Sequence, residues 1–299
     1  MAFPSTKRCS RFTRASHPPR IELTARDLEI LRRVHQHRFL DSEQIGRIVG
    51  GSRQSVLRRL QLLFHHGYLN RPRAQIEYFH QDGSRPLVYG IGRKPTGIPV
   101  SDDSSVGPRS RGSPGRLYLQ HTLLIAEAMV ALELSCRART DVRFIPEAEL
   151  RMEGGFRWSV ALHHDGATRR VGLIPDAVFA LEHSDGTRAY YFLEADRGTM
   201  PVRRRTLNQS SFFRKLLAYA ATWTQDLHRR KFGFHRFRVV TITRSTRRVD
   251  NLVAAAADLP TGQGLFLFGD SSALSGADPL SRGWSTARRG RSTPLFEID

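Results

Sequence analysis

Residues 171 to 199, VGLIPDAVFALEHSDGTRAYYFLEADRGT, constrain the fold of this chain more than any other stretch. Val171 to Leu181 and Arg188 to Leu193 are short apolar runs rich in β-branched and aromatic residues. Between them, Ser184-Asp185-Gly186-Thr187 is a tight-turn sequence, because Gly accepts positive φ and Asp bonds its own backbone. The pattern predicts a β-hairpin. Two interruptions carry chemistry: Asp176 follows Pro175 inside the first run, and Glu194 with Asp196 closes the second. A carboxylate among apolar strand residues is costly to desolvate unless a metal ion or a cation pairs with it. Strand-end acids in solvent or in salt bridges fit the pattern equally well.

The flanking segments extend this hairpin into a layered domain. His121 to Arg137 has the phasing of a helix, with Leu124, Ala128, Ala131 and Leu132 on one face and Glu127 one turn beyond Leu123. Val142 to Leu150 reads as a strand carrying Glu147 and Glu149. Val202 to Arg230 reads as a long basic helix or helix pair, led in by Arg203, Arg204 and Arg205, with Phe212, Phe213, Leu216, Leu217, Tyr219 and Ala220 packing. Phe237 to Thr243 is a buried-type strand, Arg248 to Asp258 an Ala-rich helix, and Gly264 to Phe268 a last strand. The order α, β, β, β, α, β, α, β predicts a mixed sheet with helices packed on it. Residues 271–299 are rich in Ser, Gly and Arg and read as an irregular tail.

The amino-terminal part has a different signature. Thr24-Ala25-Arg26-Asp27 is a helix start, and Leu28, Leu31 and Val34 continue its apolar stripe. Asp41-Ser42-Glu43-Gln44 opens a second, short helix as a capping box, with Ile45 and Ile48 on its buried face. Gly50-Gly51 makes a turn, and Ser52 caps a third helix to about His66. On that helix Val56, Leu57, Leu60, Leu63 and Phe64 share one face, with Gln54, Arg58, Gln61 and His65 opposite. Tyr68 to Phe79 and Pro86 to Ile91, joined by Gln81-Asp82-Gly83-Ser84, read as a wing hairpin. The expectation over residues 21–92 is a winged helix-turn-helix. Ser52, Arg53, Gln54 and Ser55 are then the groove-contacting candidates, and Arg58, Arg59, Arg71, Arg73 and Arg85 the backbone-phosphate candidates. A winged helix also serves as a protein-interaction module, so the fold alone leaves both roles open.

Charge favours nucleic acid. The chain has 47 Lys and Arg against 28 Asp and Glu, a formal net charge of +19, and Arg far outnumbers Lys. Guanidinium forms bidentate bonds to phosphate and to guanine edges. Double-stranded DNA is therefore the expected partner. Residues 1–20 read as a disordered basic arm, and residues 93–116, rich in Gly, Pro and Ser, as a linker. No apolar run approaches the ~20 residues of a membrane span, so no membrane partner is expected. Cys9 and Cys136 fit no metal spacing, which points to a reducing cytoplasm, with the protein at the nucleoid or a plasmid. His163 and His164 are adjacent, so on a strand their rings point apart and make a poor metal pair. Tyr190, Tyr191 and Tyr219 read as packing residues rather than a topoisomerase nucleophile.

With those residues in place, two resemblances follow. The element order from residue 117 to 270 resembles the core of the PD-(D/E)xK nuclease superfamily, giving an α+β protein overall. That resemblance implies Glu127 as the helix acid, Pro175-Asp176 as the PD pair, and Glu194 as the acid of the next strand. Asp196 stands where the motif has Lys, and Lys215 on the following helix is the candidate to replace it from a migrated position. The implied cofactor is Mg²⁺ on Glu127, Asp176, Glu194 and Asp196, with Asp176, Glu194 and Lys215 as the catalytic set.

The runs LTARDLEIL, IPDAVFAL, FLEADRGT and FFRKLLAY resemble the replication-relaxation family of plasmid and mobile-element proteins, over roughly residues 21 to 255. Where that family often has an acid after Gly198-Thr199, this chain has Met200 and Pro201. The resemblance implies a role in plasmid replication and DNA relaxation, with replication or conjugation proteins and a second copy of the chain as further partners. Three readings stay open here: a DNA-binding protein with a nuclease-like scaffold, a Mg²⁺-dependent nuclease or nickase, and a transcriptional regulator with a sensory or dimerisation domain.

Overall fold

The computed structural model describes residues 10–76, 85–95, 114–150, 152–164, 167–206, 208–274 and 278–296. It is a mixed α/β protein that divides into two units, Met1–Ala126 and Glu127–Asp299.

In the first unit, α1 (Ala25–His37) starts at a capping box in which Thr24 accepts from the Asp27 amide and Asp27 accepts from that of Thr24. Strand β1 (Phe39–Asp41) leads into α2 (Ser42–Val49), where Asp41 and Gln44 form the expected reciprocal cap. Gly50 and Gly51 take φ of +69° and +93°, a turn that residues with a side chain adopt only with strain. Helix α3 (Arg53–His65) then begins with Ser52 accepting from the Ser55 amide. Strands β2 (Leu69–Asn70) and β3 (Val88–Ile91) complete an antiparallel sheet in the order β1-β3-β2. Ile30, Leu31, Val34, Ile45, Ile48, Val56, Leu60 and Leu63 fill the space between the three helices and this sheet.

Several expectations shift. The segment after β2 turns into a short 3₁₀ helix, Arg73–Gln75, instead of continuing as a strand. Gln75 is buried there and holds β3 through the amide and carbonyl of Val88. The expected turn at Gln81-Asp82-Gly83-Ser84 lies outside the described residues, as do residues 1–9 of the arm and 96–113 of the linker. Residues 11–19 are not a loose arm: Arg14 donates to the carbonyls of Phe64 and Leu69, the Ala15 amide donates to His65 Nδ1, and Arg71 donates to the carbonyl of Arg11. Arg14 thus satisfies an orphan carbonyl at the end of α3, where the helix dipole favours a cation.

The unit boundary falls inside α4 (Arg116–Arg137). Its first turns pack with the first unit, Leu119 against Val88 and the Leu123 carbonyl accepting from Gln44. The helix is longer than its sequence phasing predicts. By length and composition alone it is apolar enough to cross a membrane, contrary to the expectation above, although half of that stretch is buried.

The second unit is built on a seven-stranded sheet in the order β12-β11-β10-β9-β8-β7-β4. Strand β4 (Val142–Pro146) runs antiparallel to β7 (Ala177–His183), which forms the expected hairpin with β8 (Arg188–Ala195). Strands β8, β9 (Phe237–Thr243) and β10 (Phe266–Asp270) are parallel. The hairpin's first strand is shorter than its apolar run. Ile174-Pro175-Asp176 breaks it, since proline cannot donate to a ladder and restricts the residue before it. The residues upstream, β6 (Ala167–Leu173), instead pair with β5 (Trp158–His164) in a separate two-stranded ribbon. Glu147–Glu149 form a 3₁₀ turn after β4 rather than more strand.

Helix α5 (Phe212–Thr224), capped by Ser211, packs on this ribbon and is followed by short α6 (Leu227–Phe232) and by α7 (Thr246–Ala257). Arg203, Arg204 and Arg205 lie before α5 in irregular chain, not in a helix. Phe156, Trp158, Phe192, Phe232, Phe234 and Phe237 form an aromatic cluster at the centre of the core, and Trp158 Nε1 donates to Thr222. The presumed tail is part of the sheet. Strands β11 (Trp284–Thr286) and β12 (Ser292–Thr293) extend its edge, and Trp284 is fully buried.

Candidate functional site

Helix α3 separates its residues by chemistry. Val56, Leu60, Leu63 and Phe64 are buried, whereas Arg53, Gln54, Ser55, Arg58 and Gln61 are exposed, and the helix carries no acid. Leu57, assigned to the apolar side by phasing, turns out on the exposed face. Ser52 is exposed at the cap.

Two arginines expected on phosphates are already committed inside the fold. Arg59 forks onto fully buried Asp27 of α1, Nε to Oδ1 at 2.8 Å and Nη2 to Oδ2, and also donates to the Glu22 carbonyl. Arg71 is buried over the Phe64 ring at 4.0 Å and donates to the Tyr89 hydroxyl. Both are structural pins, a role that sequence phasing does not reveal because each partner lies far along the chain. Arg73 and Arg85 are exposed on either side of the undescribed turn.

The second cluster lies at the end of the β7–β8 hairpin. Asp176, placed by the proline break, donates its amide to the Leu193 carbonyl and accepts from the Ala195 amide at 2.8 Å. Glu194 is buried on β8. Its Oε1 accepts from the Tyr219 hydroxyl at 2.6 Å, and its Oε2 takes an ion pair from Lys215 Nζ. Lys215 and Tyr219 are one turn apart on α5, so their heads converge on one carboxylate. Asp196, two residues on, is gripped by Arg248 of α7 through both oxygens, at 2.6 and 3.2 Å. Arg248 also donates to the Met200 carbonyl.

Burial pushes the Glu194 carboxyl up to about 7 against the pull of Lys215, with Asp176 adding repulsion. Desolvation opposes the charge of Lys215, yet Glu194 and Asp176 outweigh it and leave its pKa raised. The Tyr219 hydroxyl is held well above its usual value by burial and by the adjoining carboxylate. It serves as a hydrogen-bond donor rather than a phenolate nucleophile. Tyr191 donates to the Leu295 carbonyl and Tyr190 stacks on Phe234, packing roles as expected.

Asp176, Glu194 and Lys215 are therefore neighbours, but their arrangement does not fit Mg²⁺, which needs several open oxygen ligands. Both Glu194 oxygens face donors, Asp196 is spent on Arg248, and one Asp176 oxygen caps an amide. Glu127 sits half-buried on α4 and does not join them. Among the described residues no three His, Cys, Asp or Glu side chains gather closely enough to hold a metal.

A two-unit α/β protein with an exposed acid-free helix and a buried carboxylate–lysine–tyrosine network is thus the class these features define. Residues 31–236, more than half of the chain, match the replication-relaxation family, and the chain belongs to that family. Its membership supports a role in the replication or relaxation of a plasmid or mobile element. Neither a curated protein nor a solved structure matches it.

Proposed function

We propose that the chain is a duplex-DNA-binding protein of a plasmid or mobile element, with the first unit a winged helix and the second a PD-(D/E)xK-like scaffold without nuclease activity. The observation that carries the reading is the outward side of α3. Arg53, Gln54, Ser55, Arg58 and Gln61 stay in solvent there, and these are side chains that reach phosphates and base edges. The β1-β3-β2 sheet behind α3, with its connection between β2 and β3, is the arrangement of a helix-turn-helix followed by a wing. In the second unit, the donors around Glu194 and Asp196 do the work that a metal would do in an active nuclease. No membrane partner enters this reading, and the site of action is the cytoplasmic nucleoid or plasmid.

The test is binding of the full chain to fluorescent duplex DNA over a range of salt. Arg58→Ala should weaken binding and lower the slope of log affinity against log salt by about 1. Unchanged affinity at low and high salt would remove α3 from the DNA.

The nuclease reading keeps one observation in its favour: Asp176, Glu194 and Lys215 are drawn together. A supercoiled-plasmid assay with Mg²⁺ or Mn²⁺ decides it. Nicking by the wild type that is lost in Asp176→Ala would establish catalysis, and no nicking by either protein would leave the scaffold reading standing.

A further inference from the structure

A cleft that the carboxylate network does not use opens at the carboxyl ends of β8 and β9. Arg197, following β8, Arg244 and Ser245, following β9, and Arg247, Arg248 and Asn251 on the first turns of α7 line it. Four arginines face one concavity, and no lining residue is acidic. Strands β8 and β9 are parallel neighbours, so their carboxyl ends lie side by side, which is where open parallel sheets place their ligands.

The four cations are not equivalent. Arg248 is tied to Asp196 and to the Met200 carbonyl, so its charge is largely offset and its position held. Arg244 and Arg247 are exposed and make no ion pair among the described residues. Guanidinium groups held close together repel one another until an anion joins them. The start of α7, a 12-residue helix, adds partial positive charge on the same side. A tetrahedral phosphate, with several oxygens for several guanidinium forks, matches this lining better than a planar carboxylate does.

We propose that this cleft is a second phosphate-binding site, in the carboxy-terminal unit, and that it takes a backbone phosphate of duplex DNA. The phosphate chemistry stands on the cleft itself; only the choice of DNA as its source rests on the function proposed above. The site gives the nuclease-like unit a binding role that needs no metal and none of the Asp176–Glu194–Lys215 group.

The experiment uses the full chain and the double variant Arg244→Ala/Arg247→Ala, with Arg58→Ala alongside. Both cleft residues are exposed, so the melting temperature of the double variant should equal that of the wild type. Duplex affinity should fall on the order of tenfold or more, and the salt slope by about 2, one for each lost phosphate contact. If Arg58→Ala weakens binding while the double variant matches wild type in affinity and slope, the cleft is not a DNA site and the α3 reading survives. If the wild type binds no duplex, the melting shift given by inorganic pyrophosphate decides. A shift present in the wild type and lost in the double variant would keep the phosphate site and assign it a free-phosphate ligand. No shift would overturn it.

Discussion

Arg59 of α3 and Asp27 of α1 form a fork-to-carboxylate pair in which the acid is fully buried and also closes the cap of its own helix. Burial alone would raise the Asp27 carboxyl, but the bonds from Arg59 and Thr24 outweigh it and hold the pKa below the usual range. One arginine thereby fixes the angle at which α3 is presented.

Removing Arg59 leaves a buried carboxylate with only its cap bonds. Arg59→Ala should cost roughly 3 kcal/mol of stability, read from urea unfolding at pH 7. Because the folded-state pKa of Asp27 is depressed, its contribution is full above the unfolded value near pH 4 and is lost as pH falls through the folded one. The deficit of the variant should therefore shrink in acid. An equal deficit at pH 7 and pH 3 would show that Arg59 matters only through packing.

Glu194 has the opposite sign. Its folded pKa is raised to about 7, so folding takes up a proton between the unfolded value near 4.5 and pH 7, and stability declines as pH rises through that window. Glu194→Gln should flatten this part of the profile. Lys215→Met should destabilise more at pH 8, where the carboxylate is charged and has lost its cation, than at pH 5. Denaturant midpoints from pH 5 to pH 8 check both, and parallel profiles for all three proteins would contradict the assignment.

Arg71 lies over the Phe64 ring while donating to Tyr89 and to the carbonyl of Arg11. Arg71→Lys keeps the charge but not the planar fork or the stacking, so it should recover little of the loss caused by Arg71→Ala. Full rescue in thermal melts would reduce the site to simple charge.

Trp284 is 1% exposed on an edge strand and donates its Nε1 proton to the Pro279 carbonyl. Trp284→Ala should cost about 3–5 kcal/mol. Truncation after Asp270 should expose the edge of β10 and lower solubility, measured by light scattering. A truncated chain that melts like the full one would mean the last strands contribute no stability.

Gln54 stands one turn before Arg58 on the exposed side of α3. As a base-edge candidate, Gln54→Ala should reduce discrimination between a cognate and a scrambled duplex by roughly 1–3 kcal/mol, leaving the salt slope unchanged. A lowered slope with intact discrimination would move Gln54 to the backbone.

Much of the architecture is legible in local sequence. Asp41 and Gln44 announce a cap because the bonds that make one span four residues, and Ser184 to Thr187 announce a turn for the same reason. The acids at 176, 194 and 196 stand out because charge among apolar strand residues demands a partner. The choice of partner was not legible. Tyr219 looked like packing, and the signal that it shares a task with Lys215 was their four-residue spacing. Arg248 carried no signal at all, since only the parallel placement of β8 and β9 brings the start of α7 beside Asp196. The β5–β6 ribbon and the strands after residue 280 were missed because their apolar positions are too few and too scattered to show a period.

Periodicity, capping residues and turn chemistry act over a few residues, so the chain alone determined its helices, the β7–β8 hairpin, the exposed character of α3 and the excess of positive charge. Tertiary structure decided which cations are spent. Arg59 and Arg71 became pins, Lys215 and Arg248 became counter-ions, and Arg244 with Arg247 stayed exposed in a cleft, because ion pairing depends on distances set by how elements pack, and those distances join residues far apart in the chain.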